Sequence, residues 1–226
     1  MSKIPVNLDP REEKKHIAAG IRERLNERRI LTVNLISSPG SGKTTLLEQV
    51  LPGLSKELRL AVIEADNATR NDADRLEASG LTVEMIANAI TGCHISPAGA
   101  LKAFDALDLD NLELVVIENV GNLVCPSGVD LGEDHKIAMV SVTEGEDKPL
   151  KYPLLFQKSS LALINKIDAA EALGADVDAL EANILATNPH IEVLRLSART
   201  RENLDGFVTW IKNKVHEKQN SQKGFK

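Results

Sequence analysis

The sequence is poor in aromatic residues and has no excess of basic charge. Aromatic residues make up 3 % of the 226 residues, and 27 Lys and Arg against 33 Asp and Glu give a formal net charge of −6. Proteins that bind nucleic acid usually neutralise phosphates with Lys and Arg and stack bases on aromatic rings. This composition therefore argues against a nucleic-acid-binding protein.

Long hydrophobic runs are missing as well. A membrane-spanning helix needs roughly 18 or more apolar residues in succession, whereas runs such as residues 114–117 are only long enough for a strand. The opening residues, Met-Ser-Lys-Ile-Pro-Val-Asn, lack the apolar centre of a signal peptide. We therefore expect a cytoplasmic protein that does not associate with membranes.

Cysteine is scarce, with Cys93 and Cys125 as the two examples in the chain. Because thiols in the cytoplasm are kept reduced, we expect no structural disulfide between them. Each cysteine is then either a buried apolar residue or a ligand or reactive group.

The remaining composition is that of a globular protein, with 42 % hydrophobic and 27 % charged residues. The length suits one domain with an appendage. Residues 1–29 are the predicted appendage, because residues 10–29 are rich in charge and place apolar side chains at helical spacing. This amphipathic helix either packs on the domain or binds a partner. Residues 30–217 form the predicted domain, and the polar tail, residues 218–226, is expected to be disordered.

Within the domain, apolar strand-like segments alternate with helical ones. Several of the strands are uniformly apolar, which is typical of a mainly parallel sheet with helices on both faces. The sequence therefore predicts an α/β fold. The predicted strands are residues 30–37, 58–65, 81–86, 112–118, 136–143, 160–165 and 191–197, and the predicted helices are residues 43–54, 72–79, 97–107, 176–186 and 203–215.

A phosphate-binding loop, or P-loop, is predicted between the first strand and the first helix of the domain. The segment Ser-Ser-Pro-Gly-Ser-Gly-Lys-Thr departs from the pattern G-x-x-x-x-G-K-[ST] only at Ser37. Glycines let backbone N–H groups approach phosphate oxygens, Lys43 supplies a cation to the β- and γ-phosphates, and Thr44 offers a hydroxyl to Mg²⁺. The predicted nucleotide-binding residues here are Pro39, Gly40, Ser41, Gly42, Lys43, Thr44 and Thr45.

Two later segments indicate that the nucleotide base is guanine. Asn165, Lys166 and Asp168 follow a strand and match the N-K-x-D motif of GTPases, in which the Asp carboxylate accepts from guanine N1–H and the 2-amino group. Ser197 and Ala198, followed by Arg, resemble the S-A-[KR] segment whose backbone N–H meets guanine O6. Adenine lacks those donors, so Asp168 argues against an ATPase.

Two carboxylates at strand ends are predicted to complete the catalytic site. Asp66 and Glu118 each follow a predicted strand, where they would hold Mg²⁺ together with Thr44. Residues 118–121, Glu-Asn-Val-Gly, stand where many GTPases carry D-x-x-G, and the Gly121 amide would sense the γ-phosphate. Neither Gln nor Arg stands beside this segment to position water or stabilise charge, so we expect slow intrinsic hydrolysis.

Cys93, His94 and Cys125 are candidate metal ligands. Thiolate and imidazole are donors that Zn²⁺ and Ni²⁺ accept. An adjacent Cys-His pair is not a standard zinc-binding spacing, so the residues alone favour a structural role over a metal site.

The ordered motifs resemble those of the HypB family, the nickel-incorporation GTPases of [NiFe]-hydrogenase maturation. The resemblance runs from about residue 30 to the last helix and rests on the motifs S-S-P-G-S-G-K-T-T-L, V-I-E-A-D, G-C-H, E-N-V-G-N-L-V-C-P, V-T-E-G-E-D-K-P-L-K-Y-P and N-K-I-D. It implies a P-loop GTPase of the dimerising class that binds GTP and GDP and acts as a metallochaperone. Cys93, His94 and Cys125 would bind Ni²⁺ or Zn²⁺ at the subunit interface. The implied partners are a second copy of the chain, other nickel-maturation proteins and the hydrogenase large subunit.

The chain also departs from that family. Some members carry a Cys-rich or His-rich N-terminal segment that binds nickel, and residues 1–29 here are neither Cys-rich nor His-rich. In addition, Ser96 stands where the family commonly has Asp, two residues after the His. Three ligands leave a tetrahedral ion one short, so water, a partner or a second protomer would complete it. Two alternatives stay open: a urease-type nickel GTPase, although its usual C-P-H motif is replaced here by Cys-Pro-Ser, and a metal-storage module with a vestigial nucleotide site.

Overall fold

The computed structural model describes residues 9–65, 71–86 and 93–221. Its core is a seven-stranded sheet with the strand order β3-β2-β4-β1-β5-β6-β7, in which every neighbouring pair is parallel. The strands are β1 (Leu31–Ser37), β2 (Leu60–Glu64), β3 (Thr82–Met85), β4 (Leu114–Glu118), β5 (His135–Ser141), β6 (Leu161–Asn165) and β7 (Glu192–Arg195).

Helices cover both faces of the sheet, which confirms the predicted α/β fold. The first face of the sheet packs against α2 and α9. The second face is covered in two parts, by α1 with α4 and by α6 with α8. The strands β1, β2, β4 and β6 are buried along their whole length because both faces are covered. The helices are α1 (Pro10–Glu27), α2 (Lys43–Leu54), α3 (Asn71–Ala78), α4 (Pro97–Ala106), α5 (Lys148–Lys151), α6 (Pro153–Lys158), α7 (Ala170–Leu173), α8 (Val177–Thr187) and α9 (Leu204–Asn220).

The central position of β1 determines where a ligand can bind. β1 lies between β4 and β5, and the chain continues from β1 into α2 on one face of the sheet. In open parallel sheets, ligands bind beyond the carboxyl ends of the strands, at the point where successive connections diverge to opposite sides. The fold therefore places the loop between β1 and α2 at that point.

Three short helices were not predicted from the sequence. α5 and α6 each have proline in their first turn, and α7 has only four residues, so none is long enough to show a helical period. The last helix also extends further than expected, because α9 reaches Asn220 and Lys218 donates to Asp134 and Asn26. The first residues of the predicted tail are thus helical, and residues 222–226 lie outside the described part of the chain.

The N-terminal helix packs on the domain. The Asp9 side chain accepts a hydrogen bond from Arg11 N and caps α1, whose buried face carries Ala18, Ile21 and Leu25 against α4. Ion pairs between α1 arginines and acidic residues of the domain lie at its rim. Of the two roles predicted for this helix, packing on the domain is the one that the structure shows. Within the described residues, no helix combines the length and apolar character needed to cross a membrane.

Leu25→Ala is expected to lower the free energy of unfolding by about 3 kcal/mol, because it leaves a cavity under α1. Leu25 is 1 % exposed, whereas Leu185 on α8 is 38 % exposed and provides a matched Leu→Ala control. Urea unfolding of both variants measures the difference. A loss below that of Leu185→Ala would show that α1 does not belong to the cooperative unit.

Candidate nucleotide and metal sites

The phosphate loop has two glycines in a backbone conformation that strongly favours glycine. Gly40 has φ +71° and Gly42 has φ +100°, both in the left-handed region that side chains rarely adopt. A Cβ on Gly42 would also lie 2.6 Å from Nδ2 of Asn165. Backbone geometry therefore favours glycine at both positions, and close packing against the end of β6 adds a second requirement at Gly42.

Two residues of the N-K-x-D motif hold the backbone of this loop. Asn165 Nδ2 donates to the carbonyl of Ser41 over 2.8 Å, and Lys166 Nζ donates to the carbonyl of Gly40 over 2.7 Å. In a trans peptide the carbonyl and the following N–H point in opposite directions. Fixing the Ser41 carbonyl therefore turns the Gly42 N–H away from Asn165. The guanine motif and the phosphate loop form one hydrogen-bonded unit.

A cavity of about 460 Å³ lies beside the phosphate loop at the carboxyl ends of the central strands. It brings together most of the predicted phosphate and Mg²⁺ residues. Its walls include Pro39, Gly40, Gly42, Lys43, Thr44, Thr45, Glu64, Asp72, Arg75, Glu118, Gly121 and Lys166.

Lys43 extends into this region as a buried amine. Its Nζ donates to Ser37 Oγ over 3.1 Å. Burial lowers the pKa of Lys43, and the carboxylates of Glu118 and Asp72 oppose that shift. A buried cation held by a neutral hydroxyl gains strongly from an anion such as a phosphate.

Glu118 and Thr44 form a buried pair with room for a cation. Thr44 Oγ1 donates to Glu118 Oε1 over 2.7 Å, while Glu118 Oε2 is buried without a hydrogen-bond partner among the described residues. Burial raises the pKa of Glu118 to about 7, against the opposing effects of the Thr44 hydrogen bond and the Lys43 charge. Hydroxyl and carboxylate oxygens are ligands that Mg²⁺ prefers, so the donor set fits the ion. Asp66 lies outside the described residues.

Three charged residues of the cavity were missed by the sequence analysis. Glu64 ends β2, and Asp72 and Arg75 lie on α3. Arg75 donates to Glu48 Oε1 from Nε over 2.8 Å and to Asp72 Oδ1 from Nη1 over 3.0 Å. The expectation of no nearby arginine considered only the sequence around residues 118–121, whereas the fold brings α3 to the same cavity.

Most of the predicted guanine-binding residues line a second cavity of about 370 Å³, whereas Ser197 is buried beside it. Lys166, Asp168, Ala198 and Arg199 contribute to its walls. Ser197 Oγ donates to Asp168 Oδ1 over 2.6 Å and thereby orients the carboxylate. The Ala198 N–H donates to Asn165 Oδ1, so this amide serves to join the two base-recognition loops.

Cys93, His94 and Cys125 lie together, with their ligand atoms within 4.8 Å of one another. The Cys93 and Cys125 sulfur atoms are paired as a disulfide, with 6.1 Å between the Cα atoms. This pairing differs from the expectation of no disulfide, which rested on the compartment and took no account of the distance between the thiols. Burial, with the nearby charge of Lys14, lowers the pKa of His94. A neutral imidazole beside two sulfurs suits a soft or borderline metal once the thiols are reduced.

The segment that carries Cys125 is attached to the nucleotide cavity at its beginning. Gly121 packs so closely on the phosphate loop that an added Cβ would lie 2.9 Å from the Cα of Pro39. Asn119 Nδ2 donates to Asn34 Oδ1, and Asn34 Nδ2 donates to Glu133 Oε1 at the far end of the segment. Both ends of residues 119–133 are therefore hydrogen bonded to the side chain of one residue of β1.

A parallel sheet whose central strand leads into this phosphate loop, with a base pocket beside it, defines a P-loop GTPase. The family model of the CobW/HypB/UreG nucleotide-binding domain matches residues 31–195. The chain belongs to the HypB family of hydrogenase maturation factors within that group of GTPases.

Individual relatives are similar to this protein in sequence and in structure over nearly its whole length. The hydrogenase maturation factor HypB of Escherichia coli K12 is 45 % identical over 208 residues, which are 92 % of this chain and 71 % of that protein. The crystal structure of HypB from Archaeoglobus fulgidus superposes with a TM-score of 0.84 at 32 % identity, covering 90 % of this chain and 99 % of that one. The crystal structure of HypB from Helicobacter pylori in complex with nickel superposes with a TM-score of 0.85 at 34 % identity. The match covers 94 % of this chain and 100 % of that one.

Proposed function

We propose that this GTPase is a nickel metallochaperone that couples its nucleotide state to the binding and release of nickel during [NiFe]-hydrogenase maturation. The observation that carries the proposal is the course of residues 119–133. This segment begins at the nucleotide cavity against Pro39 and carries Cys125 into contact with Cys93. The nickel complex of the Helicobacter pylori relative supports the choice of metal.

The geometry of the two cavities supports the proposed nucleotide roles. Lys43 supplies the cation for the β- and γ-phosphates, and Asp168 reads the guanine edge. Thr44 and Glu118, with the predicted ligand Asp66, would hold Mg²⁺, which would shield the phosphate charge. The Gly121 amide is the proposed sensor of the γ-phosphate, and the close packing of Gly121 on Pro39 of the phosphate loop supports this role.

Nickel is the cargo, and Zn²⁺ is the other ion that the ligand set accepts. Binding requires the Cys93 and Cys125 thiols in the reduced form, since the metal ligand is the thiolate. With His94 they provide three ligands, so one position stays open to water or to another protein. An open position suits a site that must transfer its metal.

A second copy of the chain is the proposed neighbour of this centre. Val124, next to Cys125, is 60 % exposed, and Leu150 and Leu154 are 53 % and 44 % exposed. The turn after Cys125 contacts α6, where Gly128 approaches the Leu154 side chain. These exposed apolar residues support a homodimer that covers the metal centre. Other nickel-maturation proteins and the hydrogenase large subunit are the proposed further partners, in the cytoplasm.

The reduced protein is expected to bind Ni²⁺ with different affinities in its GDP state and in complex with a non-hydrolysable GTP analogue. Movement of Gly121 toward a γ-phosphate would displace Cys125 relative to Cys93, and metal–ligand distances tolerate about ±0.2 Å. A difference of about fivefold or more would lie in the usual range of coupling between sites. Isothermal titration with Ni²⁺, and separately with Zn²⁺, measures the affinities in both states.

Matched variants identify the ligands in the same titration. His94→Ala and Cys125→Ala should weaken metal binding, whereas His190→Ala, an exposed histidine on another loop, should not. Cys125→Ala should also remove the difference between the two nucleotide states while GTP still binds. Equal affinities of the wild-type protein in both states would contradict the coupling, even if all three ligands were correct. Absence of GTP turnover would instead favour a storage module.

A further inference from the structure

One specific motif of the sequence, residues 143–153, has no role in the function described so far. It follows β5, the strand beside β1, and starts with the short 3-10 helix Val142–Glu144. The Ser141 side chain accepts from Thr143 N, and the Glu144 side chain accepts from Ser141 N over 2.9 Å. This reciprocal capping turns the Glu144 carboxylate back toward the end of the sheet.

The same carboxylate holds the phosphate loop. Ser41 Oγ donates to Glu144 Oε1 over 2.7 Å. Because Oε1 also accepts from Ser141 N, a single oxygen joins the phosphate loop to the end of β5. Ser41 stands between Gly40 and Gly42, the two positions where the backbone of the loop has most freedom.

The Ser41 hydroxyl has a second possible acceptor, the carbonyl of Ser38 at 2.9 Å. A hydroxyl carries one hydrogen, and an ionised carboxylate is a stronger acceptor than a carbonyl. Glu144 therefore takes the hydroxyl hydrogen and draws the Ser41 side chain toward β5. Together with the Asn165 bond to the Ser41 carbonyl, this fixes the residue by both its side chain and its backbone.

The charge of Glu144 is unfavourable at this place. A carboxylate close to a polyphosphate repels it, although Lys148 Nζ at 3.6 Å from Glu144 Oε2 and the charge of Lys43 offset part of that repulsion. Because the charge of Glu144 opposes nucleotide binding, any favourable effect of this residue must come from the loop geometry that it stabilises. Replacement by glutamine, which retains an acceptor oxygen without the charge, separates these two effects.

We propose that Glu144 is a positioning residue for the nucleotide, which sets the conformation of the phosphate loop through the Ser41 hydroxyl without touching the nucleotide. The inference rests on the proposed nucleotide site, because Ser41 acts only if residues 39–45 bind phosphates. On this proposal, the beginning of the motif at residues 143–153 increases the affinity of the protein for its nucleotide.

The test compares Glu144→Ala, Glu144→Gln and a control from the same motif. Glu146→Ala removes a carboxylate that accepts from Asp176 N and has no contact with the phosphate loop. We expect Glu144→Ala to weaken GDP binding about tenfold, as for loss of a charge-assisted hydrogen bond. Glu144→Gln should stay within about threefold of the wild type, and Glu146→Ala should be unchanged. When GTP turnover is measured over a range of GTP concentrations, the KM of Glu144→Ala should rise while kcat changes little.

A double-mutant cycle with Ser41→Ala tests whether the effect passes through the hydroxyl. If it does, Glu144→Ala weakens GDP binding no further once Ser41 is alanine. GDP binding by Glu144→Ala within twofold of the wild type would overturn the proposal, as would equal losses for Glu144→Ala and Glu146→Ala or additive losses in the cycle. Failure of the wild-type protein to bind GDP would overturn the proposed nucleotide site itself.

Discussion

Lys43→Ala is expected to abolish GTP turnover, with the rate at saturating GTP falling by about a hundredfold or more. As the bond to the γ-phosphoryl group breaks, negative charge builds on the β–γ bridging oxygen and the β-phosphate of the departing GDP. A fixed cation beside these oxygens stabilises that charge most where water is excluded. Lys43 is buried and its Nζ is held by Ser37 Oγ at 3.1 Å, so the cation needs little reorganisation. No other lysine among the described residues lines this cavity except Lys166, which is bound to the carbonyl of Gly40.

Phosphate release measured at saturating GTP provides the check. Lys212→Ala is the matched control, because Lys212 forms an exposed ion pair with Glu57, which follows the C-terminal end of α2. Its turnover should equal that of the wild type. A rate for Lys43→Ala within twofold of the wild type would refute the role of this lysine.

Asp168→Asn is expected to reduce GTP affinity by about 1.5–3 kcal/mol through loss of charge-assisted hydrogen bonds to guanine. The asparagine retains an oxygen that accepts from Ser197 Oγ, so the pocket should keep its shape. Its amide can donate to the 2-oxo group of xanthine, where guanine has an amino group. Affinity for xanthosine triphosphate should therefore rise as affinity for GTP falls.

Competition between the two nucleotides measures this change of specificity directly. Asp205→Asn, a similar substitution at the start of α9, should leave both affinities as they are. Unchanged GTP binding by Asp168→Asn would remove the assignment of Asp168 to the base. Equal weakening of both nucleotides would indicate a damaged pocket instead of a changed specificity.

The fold could be predicted because its signals are local in the sequence. Uniformly apolar strands such as β4 alternate with helical segments, and this alternation is enough to indicate a parallel sheet covered on both faces. The phosphate loop is equally local, since its glycines and Lys43 occupy one short segment. Helix ends were less accurate, because the last turns of α9 are stabilised by Lys218 contacts with residues far away in the chain.

The hydrogen bonds that hold the site in place could not be predicted, because they join residues far apart in the sequence. Asn34 meets Glu133 across 99 positions, and Ser41 meets Glu144 across 103. An asparagine within a strand and a glutamate in a turn carry no local signal of their partners. Arg75 reaches the phosphate cavity only because β2 and α3 lie beside the central strands. Periodicity identifies which face of an element is buried, but it does not identify which polar side chains will meet there.

The attachment of residues 119–133 at both ends has a consequence for the speed of metal exchange. A segment whose ends are already close has lost much of its chain entropy before any ion arrives, so ordering Cys125 around a metal costs less. Asn34 holds both ends, through Asn119 and Glu133, from the centre of the sheet. In the proposed metal site, an ion would therefore bind and leave while both ends of the segment stay bonded to β1. We expect metal exchange to displace the residues around Cys125 and to leave the sheet folded.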